Sequence, residues 1–226
     1  MAKFDALKKI ATVYNGYDQK FGIPRQSGIV DNVSRVVIEP EFARAEAFNG
    51  IEEYEYLWLI WEFTESEREK FSPTVRPPRL GGNKRMGVFA TRSPFRPNPI
   101  GLSSVRLIKK EIDGANITLF IEGADILNGT PVYDIKPYIP YTDSHAEAKA
   151  GFSDIVRDYS VNVTFDCKVN DMPDKTRSEV IKILAHDPRP SYIENDQRVY
   201  GLSYNGYEVK FVAKNDKIIV KNIIKK

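Results

Sequence analysis

Between Arg76 and Arg106 the chain reads RPPRLGGNKRMGVFATRSPFRPNPIGLSSVR, and this stretch restricts the fold more than any other. Pro77, Pro78, Pro94, Pro97 and Pro99 each fix φ and withhold a backbone donor, so no long helix can run through it. Arg76, Ser93, Arg96 and Asn98 precede prolines and are pushed towards extended backbone. The stretch contains no acidic residue. A rigid, irregular loop studded with guanidinium groups is costly to order unless it holds something. On local grounds two readings stand level: the floor of a ligand site, or a proline-stiffened surface connection with solvated arginines.

Charge adds a preference. The formal net charge is only +2, but ten acidic residues face just Arg44 and Arg68 between Glu39 and Glu69, whereas Lys70 to Lys110 holds ten basic residues and no acid. A concentrated basic region is the footprint of a polyanion partner such as nucleic acid. The alternative is that the two segments neutralise each other across adjacent strands. Hydrophobic content of 42% and charged content of 28% fit a soluble globular protein. The start, MAKFDALKKIATV, lacks the apolar core and cleavage site of a secretory leader. The longest strongly apolar run, Tyr56 to Trp61, is too short to cross a membrane. A lone cysteine, Cys167, excludes an intramolecular disulfide and suits a reducing cytoplasm. With only His145 and His186 present, a histidine-rich metal site is excluded; carboxylates alone could still hold magnesium, and no metal is assigned.

The rest of the chain reads as many short strands. Residues 8–17 and Val33 to Ile38 are strand candidates. The segment 41–51, EFARAEAFNGI, places Phe42, Ala45 and Phe48 on one helical face before an Asn49-Gly50 stop. Tyr54 to Phe63 is the most hydrophobic strand candidate, and Met86 to Thr91 reads as a short buried strand. Ser103 to Lys110 and Asn116 to Glu122 form a hairpin about Asp113-Gly114, and Val132 to Ile135 continues the pattern. Short turns and few helices favour a closed or nearly closed β-barrel over a parallel α/β sheet. After a loose stretch, His145 to Tyr159, the pattern becomes strand (160–167), helix (176–186) and a hairpin, Val199–Tyr204 with Tyr207–Ala213, turned by Asn205-Gly206. Lys217 to Ile224 adds a last strand. The expected organisation is a barrel domain over 1–150 and a small α+β domain over 157–226.

Absences prune the chemistry. There is no G-x-G-x-x-G, no G-x-x-x-x-G-K-[ST] and no H-E-x-x-H, so a Rossmann site and a phosphate-loop enzyme are disfavoured. Three loops remain. Pro24-Arg25-Gln26 offers a cation and an amide. Arg92 to Leu102 offers two cations and a proline-shaped backbone. Asn128-Gly129-Thr130-Pro131 offers an amide, a hydroxyl and exposed backbone, with Asp134 and Lys136 just beyond, and Gly129 permits close backbone approach. Together they suit a polar, partly charged small molecule such as a nucleoside. Each alone reads equally as an ordinary barrel turn.

The segments GVFATRSPFRPNPIGLS (87–103) and NGTPVYDIKPYIPYTDS (128–144) resemble the signature of the TrmO family, also called YaeB or TsaA-like proteins. Gly22 to Gln26 and Val75 to Leu80 support the resemblance, and Ala185 to Pro190 is similar to a motif of the family's C-terminal domain. The resemblance implies a mainly β protein, a TsaA-like β-barrel with a small α+β C-terminal domain. It also implies an S-adenosylmethionine-dependent tRNA methyltransferase, acting as a cytoplasmic homodimer on N6 of threonylcarbamoyladenosine next to the anticodon. Carried over, the implied cofactor contacts are Pro24, Arg25, Gln26, Arg92, Leu102, Asn128, Gly129, Thr130 and Pro131. A further contact is assigned to Thr64 and Glu65, where family members tend to have histidine. Family members often have aspartate where this chain has Asn128, so the role of that carboxylate is open.

The acceptor nitrogen is conjugated to a purine and a urea carbonyl and is a weak nucleophile, so a carboxylate base helps. Asp134 leads Asp143 as the candidate, because it follows the 128–131 loop; it stands equally as the partner of a loop arginine. Lys136 and Tyr138 are candidates for orienting the base or stabilising negative charge. The threonyl carboxylate needs a cation, for which Arg96, Arg76 and Arg79 are candidates. Lys84 and Arg85 suit tRNA phosphates, and Arg189 extends that surface. The rivals are a non-catalytic nucleic-acid-binding barrel and a methyltransferase of a small metabolite.

Overall fold

The computed structural model describes residues 7–66, 70–77, 80, 84–156, 159–169, 172–189, 198–214 and 217–226. In chain order the strands are β1 (Ala11–Tyr14), β2 (Val33–Ile38), β3 (Tyr56–Glu62), β4 (Thr74–Val75), β5 (Met86–Gly87) and β6 (Ile100–Asp113). They continue as β7 (Asn116–Glu122), β8 (Pro131–Pro137), β9 (Asn162–Phe165), β10 (Tyr200–Tyr204), β11 (Tyr207–Lys214) and β12 (Lys217–Lys225). The helices are α1 (Pro140–Asp143) and α2 (Asp174–Ala185). The chain forms two compact units. Met1–Asn15, Arg25–Lys70 and Pro94–Ile139 make the first, and Gly16–Pro24, Phe71–Ser93 and Pro140–Lys226 the second.

The first unit is a closed barrel of order β1-β2-β7-β6-β3-β8. Every neighbouring pair is antiparallel, and β8 closes on β1 through Ala11↔Val132 and Thr12↔Pro131. Closure leaves no strand edge open to another chain. Strict alternation explains the interior: Leu57, Leu59 and Trp61 of β3 point inward, as do Val105 of β6 and Ile117, Leu119 and Ile121 of β7. A six-stranded barrel is narrow enough for such side chains to fill it. The strand β6 serves two neighbours. Residues 100–106 pair with β3 and residues 106–113 with β7, with a bulge at Leu107/Lys109. Arg106 marks the changeover and bridges Glu55 (3.4 Å) and Glu122 (3.2 Å).

Two expectations are corrected. The helix expected over 41–51 is a pair of 3-10 turns, Ala45–Phe48 and Ile51–Glu53, broken by Gly50 at φ 80°. Phe48 of these turns is buried in the barrel core, and Phe42 and Ile51 pack against it partly buried. The expected strand Met86–Thr91 stops at Gly87 and turns into a 3-10 segment, Val88–Ala90, of which only Val88 is buried. One inward side chain does not sustain a buried strand.

The second unit contains a sheet of order β10-β11-β12-β9, with β9 parallel to β12. The α2 helix carries the chain from one sheet edge to the other. It is fastened to the β10–β11 hairpin by Tyr204 Oη donating to Glu179 (2.9 Å) and Asn205 Nδ2 donating to Thr176 Oγ1 (3.1 Å). Asn205 and Gly206 both have positive φ, 49° and 78°, the demand of the two-residue turn that the Asn-Gly pair predicts. Segment Gly16–Pro24 packs here. Tyr17 meets Tyr204 at 5.1 Å, and Phe21 stacks on Tyr200 and Phe211. Gly22 sits at φ 97°, which favours glycine, and a Cβ there would also press on Leu202 Cδ1 at 2.2 Å. A separate two-stranded ladder, β4–β5, pairs Thr74 with Gly87 and Val75 with Met86.

Candidate active site

Because Leu57, Leu59 and Trp61 point into the barrel, Trp58, Ile60 and Glu62 point out, as does Leu102 of β6. Strand register then builds rows across three strands. Leu102 lies opposite Ile60, which lies opposite Asp134, and Ser104, Trp58 and Lys136 form the next row. The Tyr138 ring packs beside Trp58 (5.4 Å) and Tyr56 (6.2 Å), and its backbone N–H donates to the Tyr56 carbonyl (3.0 Å). Four expected site residues, Leu102, Asp134, Lys136 and Tyr138, therefore share one face of β6, β3 and β8.

The partner of Asp134 is Lys136, 2.8 Å away, rather than a loop arginine. Its other oxygen accepts the Ile135 N–H at 2.9 Å. Both side chains are well exposed, so the pair adds at most about 1 kcal/mol and leaves the carboxylate reachable. Beside it, β8 carries one extra residue relative to β3, with the register shifting at Ile60/Trp61. That residue, Tyr133, donates its hydroxyl to the Glu62 carboxylate. Burial, the hydrogen bond to Glu62 and its charge push the Tyr133 hydroxyl up to about 12, so it stays protonated.

The loop before β8 is stapled to β1. Asn128 Oδ1 accepts the Asn15 N–H (3.0 Å), the Asn15 amide donates to the Ile126 carbonyl (2.8 Å), and the Gly129 N–H donates to Val13 (2.8 Å). Only acceptor oxygens are asked of residue 128, which an amide supplies as well as a carboxylate does. Gly129 sits at φ 82°, the left-handed region that glycine tolerates. Thr130 is buried, and its Oγ1 has no hydrogen-bond partner among the described residues. Pro131 opens β8, the strand position at which a missing donor costs least.

Under this face runs a buried polar line. Trp61 Nε1 donates to Ser103 Oγ (2.9 Å), and Ser103 donates to Asp125 Oδ1 (2.5 Å). Sequence reasoning missed Glu62, Tyr133, Ser103 and Asp125 as site-supporting groups. Register is the only signal that could have found the first pair, and the last two looked like strand and turn residues.

The remaining expected residues are spread over both units. Thr64 and Glu65 follow β3 and are exposed, and Arg25 is exposed with Gln26 half-buried beside it in sequence. Arg96 is half-buried after a tight turn in which its N–H donates to Pro94 (2.8 Å). Pro24, Arg76, Lys84, Arg85 and Arg92 belong to the second unit, where the four cations are exposed. Arg92 rides a turn held by Thr91, whose hydroxyl donates to Val88 O (2.9 Å) and accepts Ser93 N–H (3.2 Å). Arg79 lies outside the described residues. Arg189 is occupied: its Nε and Nη2 grip both oxygens of buried Asp187 at 2.8 and 2.9 Å. That hydrogen-bonded carboxylate raises Arg189 further above its ordinary value.

The family model described as the tRNA-methyltransferase O N-terminal domain matches residues 12–144, and the TrmO C-terminal domain model matches residues 157–226. The chain belongs to the tRNA-methyltransferase O family. It is 35% identical over 215 residues to the tRNA (adenine(37)-N6)-methyltransferase of Escherichia coli (strain K12), covering 90% of this chain and 91% of that protein. It is 37% identical over 146 residues, 64% of this chain, to a Pyrococcus abyssi protein named a probable S-adenosyl-L-methionine-binding protein, of which it covers 74%. The crystal structure of TrmO from Pseudomonas aeruginosa superposes with a TM-score of 0.78 at 28% identity, over 99% of this chain and 100% of that one. The mainly β fold expected from the sequence is thus the TrmO fold. The two segments that carried the resemblance, 87–103 and 128–144, both lie inside the N-terminal match.

Proposed function

We propose that this TrmO protein transfers a methyl group from S-adenosylmethionine to N6 of N6-threonylcarbamoyladenosine, the modified base beside the anticodon of tRNA. Family membership supports the reaction class. The observation that carries the reading is the outer face of β6, β3 and β8, where Leu102, Asp134, Lys136 and Tyr138 stand side by side.

The residues fit such a cofactor, which presents a carboxylate, an ammonium group and an adenine. Arg25 and Gln26 offer a cation and an amide, Leu102 offers an apolar wall, and Thr130 offers a buried hydroxyl without a partner among the described residues. Pro24, Thr64, Glu65, Arg92, Asn128, Gly129 and Pro131 complete the proposed set. The bound cofactor would supply an electrophilic methyl group, so the protein's main task is alignment. Asp134 takes up the proton that the acceptor nitrogen loses. Lys136, 2.8 Å away, steadies that carboxylate and offers a positive charge to the urea oxygen as negative charge develops there. Tyr138 and Trp58 give the base an aromatic wall.

Arg76, Lys84 and Arg85 face the tRNA phosphates in this reading, and Arg96 serves the threonyl carboxylate. Arg189 belongs to the same proposed surface, with its Nε and Nη2 held by Asp187. Residues 1–150 act as the catalytic domain and 157–226 assist tRNA binding, in a cytoplasmic homodimer. Purified protein, cofactor and tRNA from a strain lacking the gene provide the test. Nucleoside mass spectrometry should show methylated threonylcarbamoyladenosine, and unaltered nucleosides would sink the assignment.

A further inference from the structure

Two large aromatic rings stand in water on the β4–β5 ladder. Phe71 is 59% exposed and Phe89 is 71% exposed, and their rings stack with centroids 6.5 Å apart at 28°. Their placement follows from the local fold. Phe71 lies three residues before β4, and the Val88 N–H donates to the Pro73 carbonyl (2.9 Å), so the two ends of the ladder are held together. The 3-10 turn Val88–Ala90 buries Val88 and turns Phe89 outward. Single exposed apolar residues need no explanation, but two adjacent stacked rings on a short ladder form an apolar patch that invites an occupant.

The surroundings indicate which occupant. The same segment presents exposed Lys70, Arg76, Lys84 and Arg85, and no acidic residue occurs between Lys70 and Lys110. Arg85 is steadied by a bond from Nη1 to Thr74 Oγ1 (3.3 Å), which ties a cation to the ladder that carries the rings. Flat aromatic faces among cations match single-stranded nucleic acid, whose bases stack while its phosphates pair with the cations. A purely apolar protein partner would not call for the cations. We infer that Phe71 and Phe89 form a stacking platform for an unpaired base of the tRNA anticodon loop. The inference rests on the tRNA reading above and adds to it a second base contact.

The test uses the full chain and a synthetic anticodon stem-loop carrying a fluorescent purine analogue in the loop. Wild-type protein should quench the analogue on binding, as stacking does. Phe71→Ala and Phe89→Ala should each weaken binding roughly 5- to 100-fold, the range for losing one base–aromatic stack, with an unchanged salt slope. Phe89→Trp should restore affinity. Arg85→Ala should instead reduce the salt slope by about 0.7–0.9, one phosphate contact. Thermal unfolding of each variant shows whether it has folded, and Phe89→Trp keeps the test open if an alanine variant has not. Wild-type binding matched by both alanine variants would overturn the platform while leaving the tRNA reading intact. So would alanine variants that lose cofactor binding in calorimetry, or that change oligomeric state, instead of losing RNA affinity. Absence of any RNA binding by the wild type would overturn the tRNA reading itself.

Discussion

Trp61 of β3 lies flat against Gly101 of β6, its partner in strand register, so closely that a Cβ at residue 101 would sit 2.3 Å from the indole Cε2. The indole is also fixed by its hydrogen bond to Ser103, two residues further along the same strand. It therefore has no room to step aside. Gly101→Ala should destabilise the barrel by about 1–3 kcal/mol through overpacking, read as a lower urea midpoint at an unchanged slope.

Ser103→Ala removes the shared hydroxyl and strands a buried indole N–H. An unpaired buried donor costs about 1–3 kcal/mol. Trp61→Phe in the same background should recover part of the loss, because it removes the orphaned donor. A double-mutant cycle in chemical denaturation measures that coupling.

Asn128→Asp should be close to neutral in stability and in methyl transfer, because the Asn15 N–H needs only an acceptor there. Asn128→Ala should cost about 1 kcal/mol and loosen the loop. A matching loss of activity in both variants would show that the amide itself is used in the reaction.

Asp134→Asn should lower the single-turnover rate by about 10²- to 10⁴-fold, the usual contribution of a positioned base, with little change in tRNA affinity. Lys136→Ala should lower it less. An unaltered rate for Asp134→Asn would remove it from the chemistry.

Tyr133 gives a signed pH prediction. Its hydroxyl is raised from 10.0 to about 12 by burial and by Glu62, so the folded state holds the proton more tightly than the unfolded chain. The stability this contributes is complete below pH 10 and is lost as pH rises from 10 towards 12. Tyr133→Phe should flatten that fall in denaturation curves taken across the window. If it does not, Glu62 is not coupled to the hydroxyl.

The sequence announced what is local. The hydrophobic run in Tyr54–Phe63 marked β3, and Asn205-Gly206 marked the last hairpin, because both signals act within a few residues. The helix expected over 41–51 gave way to 3-10 turns on either side of Gly50, which bury Phe48 and pack Phe42 and Ile51 partly against the core. At the site, the motif residues Leu102, Asp134, Lys136 and Tyr138 were legible, but their common face was not. That face depends on the register of three strands, and on a one-residue bulge that brings Tyr133 to Glu62, 71 residues away. The Asp187 partner of Arg189 was hidden for a related reason. A cation two residues from an acid reads as surface charge until the backbone turns, with Asp187 at φ 44°, and closes the pair.

The double service of β6 has a consequence for motion. A strand that pairs with β3 through residues 100–106 and with β7 through residues 106–113 is held by a different neighbour at each end, and the two ladders meet at Arg106. The amides near that junction should therefore exchange with deuterium more slowly than those at either end of the strand, which can fray separately.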